Sequence, residues 1–278
     1  MNKMNKMNKT NNLKISAFLN KNFKRDFLIE NLLPANDSTD NKVAVLYGEA
    51  QVGKSQMAMQ IALHTVYNVP FLFDNNFKIN NTQHRPVLYL ALEGGEMVTN
   101  QNLQKQLIDF VNRGYDGDEF SNIIISASND LVLDYDVKTA SFYTLEKTIK
   151  QLNPCLVIID TISNLATLMG ENLSSQRGVT SILAPFQELA QKYDFTPLFI
   201  SHPTKTKKDN VYDMAGGHSL VDCSHTILKL EKAGNNKKRT NNFVNKLNLM
   251  YIKTNLLENR NPVIRIIKNN NLICDLDN

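Results

Sequence analysis

Residues 48–55 read Gly48-Glu49-Ala50-Gln51-Val52-Gly53-Lys54-Ser55, a complete Gly-x-x-x-x-Gly-Lys-Ser loop, and the residues on either side decide what it is. Before it, Val43-Ala44-Val45-Leu46-Tyr47 is an apolar run that reads as a strand. After it, Gln56-Met57-Ala58-Met59-Gln60-Ile61-Ala62-Leu63 reads as a helix. In that context the glycines let successive backbone N–H groups turn inward around a phosphate chain, and the helix N-terminus adds its partial positive charge. Lys54 is placed to reach the β- and γ-phosphates and Ser55 to ligate Mg²⁺. The expected nucleotide site is therefore Gly48, Glu49, Ala50, Gln51, Val52, Gly53, Lys54, Ser55 and Gln56, with ATP and Mg²⁺ as its ligands.

Working outward, the chain alternates strand and helix, the signature of a mostly parallel sheet flanked by helices. Apolar strands are expected at 87–92, 123–125, 156–160 and 197–202, and helices at 97–112, 142–152 and 177–193. The run Leu156-Val157-Ile158-Ile159-Asp160 is continuous enough to be buried on both faces. Beyond Gly216 the pattern turns to short strands, at 226–230, 247–253 and 263–267, expected to be antiparallel additions to the sheet. Residues 1–12 hold a threefold Met-Asn-Lys repeat with no apolar face, so 1–25 is read as a disordered basic tail and lead-in, and 26–278 as a single α/β domain.

Net charge is +4, but Lys3, Lys6, Lys9, Lys14, Lys21, Lys24 and Arg25 all precede the first acidic residue, Asp26. Residues 26–278 keep 24 basic against 27 acidic side chains, so the basicity belongs to the tail and is weak evidence for a nucleic-acid-binding body. Cys155, Cys223 and Cys274 lack metal-ligand spacing and are odd in number, which argues against a disulfide framework or a zinc site. No apolar run approaches the ~18 residues needed to span a bilayer, and no hydrophobic signal core follows the N-terminal lysines, so a cytoplasmic protein without a membrane partner is expected.

Ligands of an open parallel sheet bind at the carboxyl ends of its strands. Besides Lys54 and Ser55, three polar residues fall at such ends: Glu93, Asp160 and His202. Asp160, after four apolar residues, has the placement of a carboxylate that holds Mg²⁺ with Ser55. Glu93 either orients the attacking water or merely opens a loop; its position allows both. His202 is suited to sense a γ-phosphate, and Lys205, Lys207 and Lys208 just after it suit either a nucleic-acid backbone or a solvated loop.

The series GEAQVGKS, VLYLALE, LVIIDTISNLA, LFISHPTK and GGHSLVD resembles the RecA-type ATPases. It is most similar to the RepA-type hexameric replicative helicases of plasmids and mobile elements, and more distantly to the DnaB and KaiC-like branches. The likeness runs over about residues 27–267. It implies a catalytic role for Glu93, Lys54 and His202, metal binding by Ser55 and Asp160, a homo-oligomeric ring, and single-stranded DNA in the central channel. The channel loops it implies follow the Asp160 strand, over 161–175, and the His202 strand. The sequence departs from the family where subunits meet. His225 stands where an arginine finger is expected, no arginine follows Glu93 (Lys105 is the nearest cation), and Lys253 and Arg260 remain as trans-acting candidates.

The resulting expectation is a ring-forming, ATP-hydrolysing DNA helicase or replication ATPase. A nucleotide-gated regulator or recombination mediator with slow turnover is the alternative, favoured by the His225 departure. The near-neutral body favours a third reading, a signalling ATPase that ignores nucleic acid. A small-molecule kinase ranks low, because no arginine-rich lid follows Asp160.

Overall fold

The computed structural model describes residues 26–35, 43–115, 117–127, 135–136, 141–204, 212, 214–233, 244–254, 263–269 and 272–276. The tail at 1–25, Lys205, Lys207, Lys208 and Arg260 lie outside the described residues. Strands β1 (Phe27–Ile29) and β2 (Leu33–Pro34) form a small antiparallel ladder ahead of the core. β3 (Val43–Gly48) leads through the glycine-rich loop into α1 (Lys54–Tyr67), as the flanking residues require. Then come β4 (Val87–Ala91), α2 (Gly95–Asn112) and β5 (Ile123–Ala127), and a short ladder of β6 (Tyr135–Asp136) with β7 (Ser141–Phe142). The second half runs through α3 (Tyr143–Leu152), β8 (Leu156–Asp160), α4 (Ile162–Met169), α5 (Gln176–Tyr193), β9 (Thr196–Ser201), α6 (Gly217–Asp222), β10 (Ser224–Lys232), β11 (Val244–Thr254), β12 (Val263–Asn269) and β13 (Leu272–Leu276).

Nine strands form one sheet in the order β13-β12-β11-β10-β3-β9-β8-β4-β5. The strands from β10 to β5 pair parallel, while β11, β12 and β13 continue the edge antiparallel. Every residue of β3, β4, β8 and β9 is buried, the consequence of helices on both faces. Alternate residues therefore serve two cores. Ala44, Leu46, Tyr89, Ala91, Leu156 and Ile158 face the side carrying α1 and Phe110 of α2, whereas Val43, Val45, Leu88, Leu90, Val157 and Ile159 face α3 to α6. Helix α1 lies deep in the first core, with Gln60 donating to Gln106 of α2 at 2.9 Å. His64 Nε2 accepts the Leu72 N–H at 3.2 Å, and burial among aromatic rings holds this imidazole neutral, its pKa down to about 3. No helix among the described residues is long and apolar enough to cross a membrane.

Two expectations need correction. The strand at 226–230 is not antiparallel to the core: β10 runs parallel to β3 and antiparallel only to β11. The cause is α6, which the sequence reading left unassigned; it supplies the helical crossover that a parallel neighbour requires. The segment 161–175, expected as a channel loop, opens with α4, whose buried Ile162, Leu165, Ala166 and Met169 follow helical spacing and pack on the second core. A further edge strand, β13, was not anticipated.

At the edge of the sheet remote from the phosphate loop, Arg85 ties three elements together. Helices α3 and α5 end on residues in the left-handed conformation, Asn153 (φ 50°) and Asp194 (φ 54°), which leave carbonyls turned outward. The Arg85 guanidinium donates to the carbonyls of Asn153 (3.1 Å), Pro154 (2.7 Å), Tyr193 (3.2 Å) and Asp194 (2.7 Å), and to the Asp194 carboxylate at 3.2 Å. A cation at two helix C-termini also answers their negative dipole ends. Arg85→Ala is expected to lower stability by about 2 kcal/mol or more in urea denaturation, and Arg85→Lys to restore little of it, because the ammonium keeps the charge but loses the planar fork.

Candidate functional site

The strand order decides what meets at the carboxyl edge. β9 lies between β3 and β8, and β4 lies beyond β8. His202, one residue past β9, therefore falls between the phosphate loop and Asp160 at the end of β8, with Glu93 two residues past β4. The loop itself depends on two glycines. Gly53 adopts φ 111° at the N-cap of α1, a left-handed conformation that strains other residues. Gly48 lies against β10, where a Cβ would stand 2.2 Å from the Leu230 carbonyl oxygen. Among the described residues the sequence-predicted set Lys54, Ser55, Glu93, Asp160 and His202 is thus gathered at one place.

Electrostatics bind the group together. Lys54 is 4% exposed and its ammonium donates to the carbonyls of Gly48 (2.9 Å) and Glu49 (2.8 Å), contacts that a phosphate chain entering the loop would replace. Burial pulls its pKa down to about 8, and the carboxylates of Asp160 and Glu93 act in the opposite sense. Asp160 is equally buried, at 4% exposed, and burial raises its pKa against hydrogen bonds from Tyr89 and Ser55. Its Oδ2 accepts the Tyr89 hydroxyl at 2.6 Å, while Oδ1 is buried with no hydrogen-bond partner. A carboxylate that meets a serine hydroxyl and keeps one oxygen unpartnered is a donor set of the hard, oxygen-rich kind that Mg²⁺ prefers, so the residues present fit that ion. No cluster of three or more His, Cys, Asp or Glu suited to a metal occurs among the described residues.

Glu93 is fixed by its backbone. The Asp160 carbonyl accepts the N–H groups of both Leu92 (2.8 Å) and Glu93 (2.9 Å), so the turn after β4 is sewn to the end of β8. Asn164 in the first turn of α4 completes the seam by donating to the Leu92 carbonyl at 3.0 Å and accepting the Thr161 hydroxyl at 2.8 Å. The Glu93 carboxylate meets His202 Nε2 at 3.1 Å, a pairing of two half-exposed groups. On the far side of His202, its carbonyl accepts the Ala215 N–H at 2.8 Å and Pro203 bridges to Met214, which closes the base of the excursion that leads to α6. Chemically, the arrangement offers a phosphate cradle, a metal-side carboxylate, and a second carboxylate held by a histidine.

The trans-acting candidates fare differently. His225 is 4% exposed within β10, at a register shift between β10 and β3. Lys253 lies opposite Ile227 in the β10–β11 ladder. Tyr89 was missed by sequence reasoning. The available signal was a phenol in an otherwise aliphatic strand, which needs a hydroxyl partner once buried.

The Lys54 shift gives a pH prediction. Between the folded value of about 8 and the ordinary 10.5, the unfolded chain holds this proton and the folded chain releases it. Stability contributed by this group therefore rises with pH through that window, and its penalty is fully present below it. Without nucleotide, the difference in urea stability between the wild type and Lys54→Met is expected to grow in favour of the wild type from about pH 8 upward. A difference that stays flat to about pH 10 contradicts this account.

Residues 9–208, well over half of the chain, match the family model described as AAA domain. No curated protein matches. Among solved structures, a KaiC-like protein from the hyperthermophilic archaeon Pyrococcus horikoshii OT3 superposes with a TM-score of 0.56 at 14% identity, covering 92% of this chain and 98% of that one. At that identity the likeness is one of fold, and with the sheet order it gives a RecA-like α/β core. A family match of this length decides the affiliation: the chain belongs to the AAA domain family, as a P-loop ATPase built on a RecA-like core.

Proposed function

We propose that this protein assembles as a homo-oligomeric ring, a hexamer, and hydrolyses ATP with Mg²⁺ while bound to single-stranded DNA. The role is that of a helicase or replication ATPase of a plasmid, phage or other mobile element. The observation that carries the reading is the Glu93–His202 pair at 3.1 Å beside the buried Lys54 and Asp160. The DNA and ring assignments rest on the resemblance to RepA-type helicases and on Lys205, Lys207 and Lys208 following β9.

In the proposed reaction Lys54 exchanges the Gly48 and Glu49 carbonyls for phosphate oxygens. Asp160 and Ser55 hold Mg²⁺, which supplies charge neutralisation on the phosphates when bound. Glu93 takes a proton from water as its oxygen attacks the γ-phosphorus in line. The bond from that phosphorus to the bridging oxygen breaks, and ADP and phosphate leave. His202 donates to the γ-phosphate while ATP is present and falls back to Glu93 afterwards. Because the His202 carbonyl is bonded to Ala215, this exchange pulls on the segment entering α6. Lys253 and Arg260 are the proposed trans-acting cations.

A second reading, a nucleotide-gated assembly protein with slow turnover, is favoured by one observation: the residue at the finger position, His225, is buried. Hydrolysis measured with and without single-stranded DNA at two salt concentrations separates the two. The motor reading expects DNA stimulation that weakens with salt, and a loss of about 100- to 10,000-fold in Glu93→Gln with nucleotide binding retained. Tight ATP binding with negligible turnover, or a rate indifferent to DNA, sinks it in favour of the second.

A further inference from the structure

Tyr89 occupies the middle of β4, 1% exposed. It stands opposite Ile158 on β8, and Ala91 stands opposite Asp160. Residues two apart on a strand share a face, so Tyr89 and Asp160 both point toward the α1 side, and the phenol reaches Asp160 along the diagonal. The contact, 2.6 Å from the hydroxyl to Oδ2, has the short length of a hydroxyl bonded to a carboxylate.

A carboxylate at a strand end rotates about its last bond and can offer either oxygen. Here one oxygen is engaged by a side chain that is itself locked by packing on all sides, and the other, Oδ1, is left buried without a partner. We propose that Tyr89 is a positioning residue for metal binding: its hydroxyl fixes the plane of the Asp160 carboxylate so that Oδ1 is the oxygen held ready for Mg²⁺. Tyr89 touches neither nucleotide nor metal in this role; its phenol also meets the Ser55 hydroxyl, and the effect on the metal is assigned to Asp160, much as outer-shell groups elsewhere orient the ligands of an ion. The inference rests on Asp160 being the metal-side carboxylate.

The test is a binding measurement on the full chain. A fluorescent ADP analogue is titrated without Mg²⁺ and then across a Mg²⁺ series, for the wild type, Tyr89→Phe, Asp160→Asn and the double variant. Tyr89→Phe is expected to bind the metal-free analogue within about twofold of the wild type and to need about 10- to 100-fold more Mg²⁺ for half of the metal effect. The double variant is expected to match Asp160→Asn, because a residue acting only through that carboxylate has nothing further to lose. It also buries a neutral amide rather than an unbonded carboxylate, so it reports even where Tyr89→Phe folds poorly. A wild-type Mg²⁺ profile in Tyr89→Phe alongside a shifted Asp160→Asn overturns the inference and leaves Tyr89 a packing residue. Additive shifts in the double variant overturn it as well. A wild-type profile in Asp160→Asn instead overturns the assignment of Asp160, and the proposal with it.

Discussion

A carboxylate buried at the end of a strand is costly unless its oxygens are bonded, and Asp160 is such a group. The Tyr89 hydroxyl takes one oxygen, the Ser55 hydroxyl lies within reach, and the Lys54 ammonium provides the opposite charge. The same residue organises its surroundings through its main chain, since its carbonyl holds the amides of Leu92 and Glu93. Side chain and backbone thus couple the proposed metal site to the proposed water-activating residue. Moving Asp160 would move Glu93, and with Glu93 the contact to His202.

The two edges of the sheet divide the work. At the amino edge Arg85 gathers the ends of α3 and α5 and the entry to β4 into one charged, hydrogen-bonded knot. At the carboxyl edge the bonds run from the buried Lys54 and Asp160 contacts out to the more exposed Glu93–His202 pair. A phosphate site of this kind has to exchange internal contacts for contacts to its ligand. Lys54 shows that exchange in miniature: it is desolvated, its ammonium is destabilised by burial, and its donors are turned back on its own loop until a better anion arrives.

Much of this was legible in the order of residues. Glycine, lysine and serine at fixed spacing between an apolar strand and a helix have few other physical uses, and four-residue apolar runs followed by Asp160 or by Ser201-His202 mark buried strands with polar tips. Where the reading failed, a weak local signal had competed with a tertiary one. α6 is six residues long and opens on Gly217 after Gly216, so propensity argued for a turn; its role as a crossover is visible only once β10 is seen beside β3. α4 had the right periodicity but lay where a loop was expected from resemblance. His225 was weighed by its place in a motif, whereas its burial within β10 shows only in the tertiary structure.

The sequence by itself determined the phosphate loop, the alternation that makes a parallel sheet, and the identities of the polar residues at strand ends, because each of these is a local pattern of size, branching and charge. Only the tertiary structure decided which ends are neighbours. Placing β8 between β9 and β4 is a matter of long-range pairing, and it brings His202 to Glu93 across 109 positions of sequence and Tyr89 to Asp160 across 71. No spacing rule encodes those meetings; they follow from burying both faces of one twisted sheet.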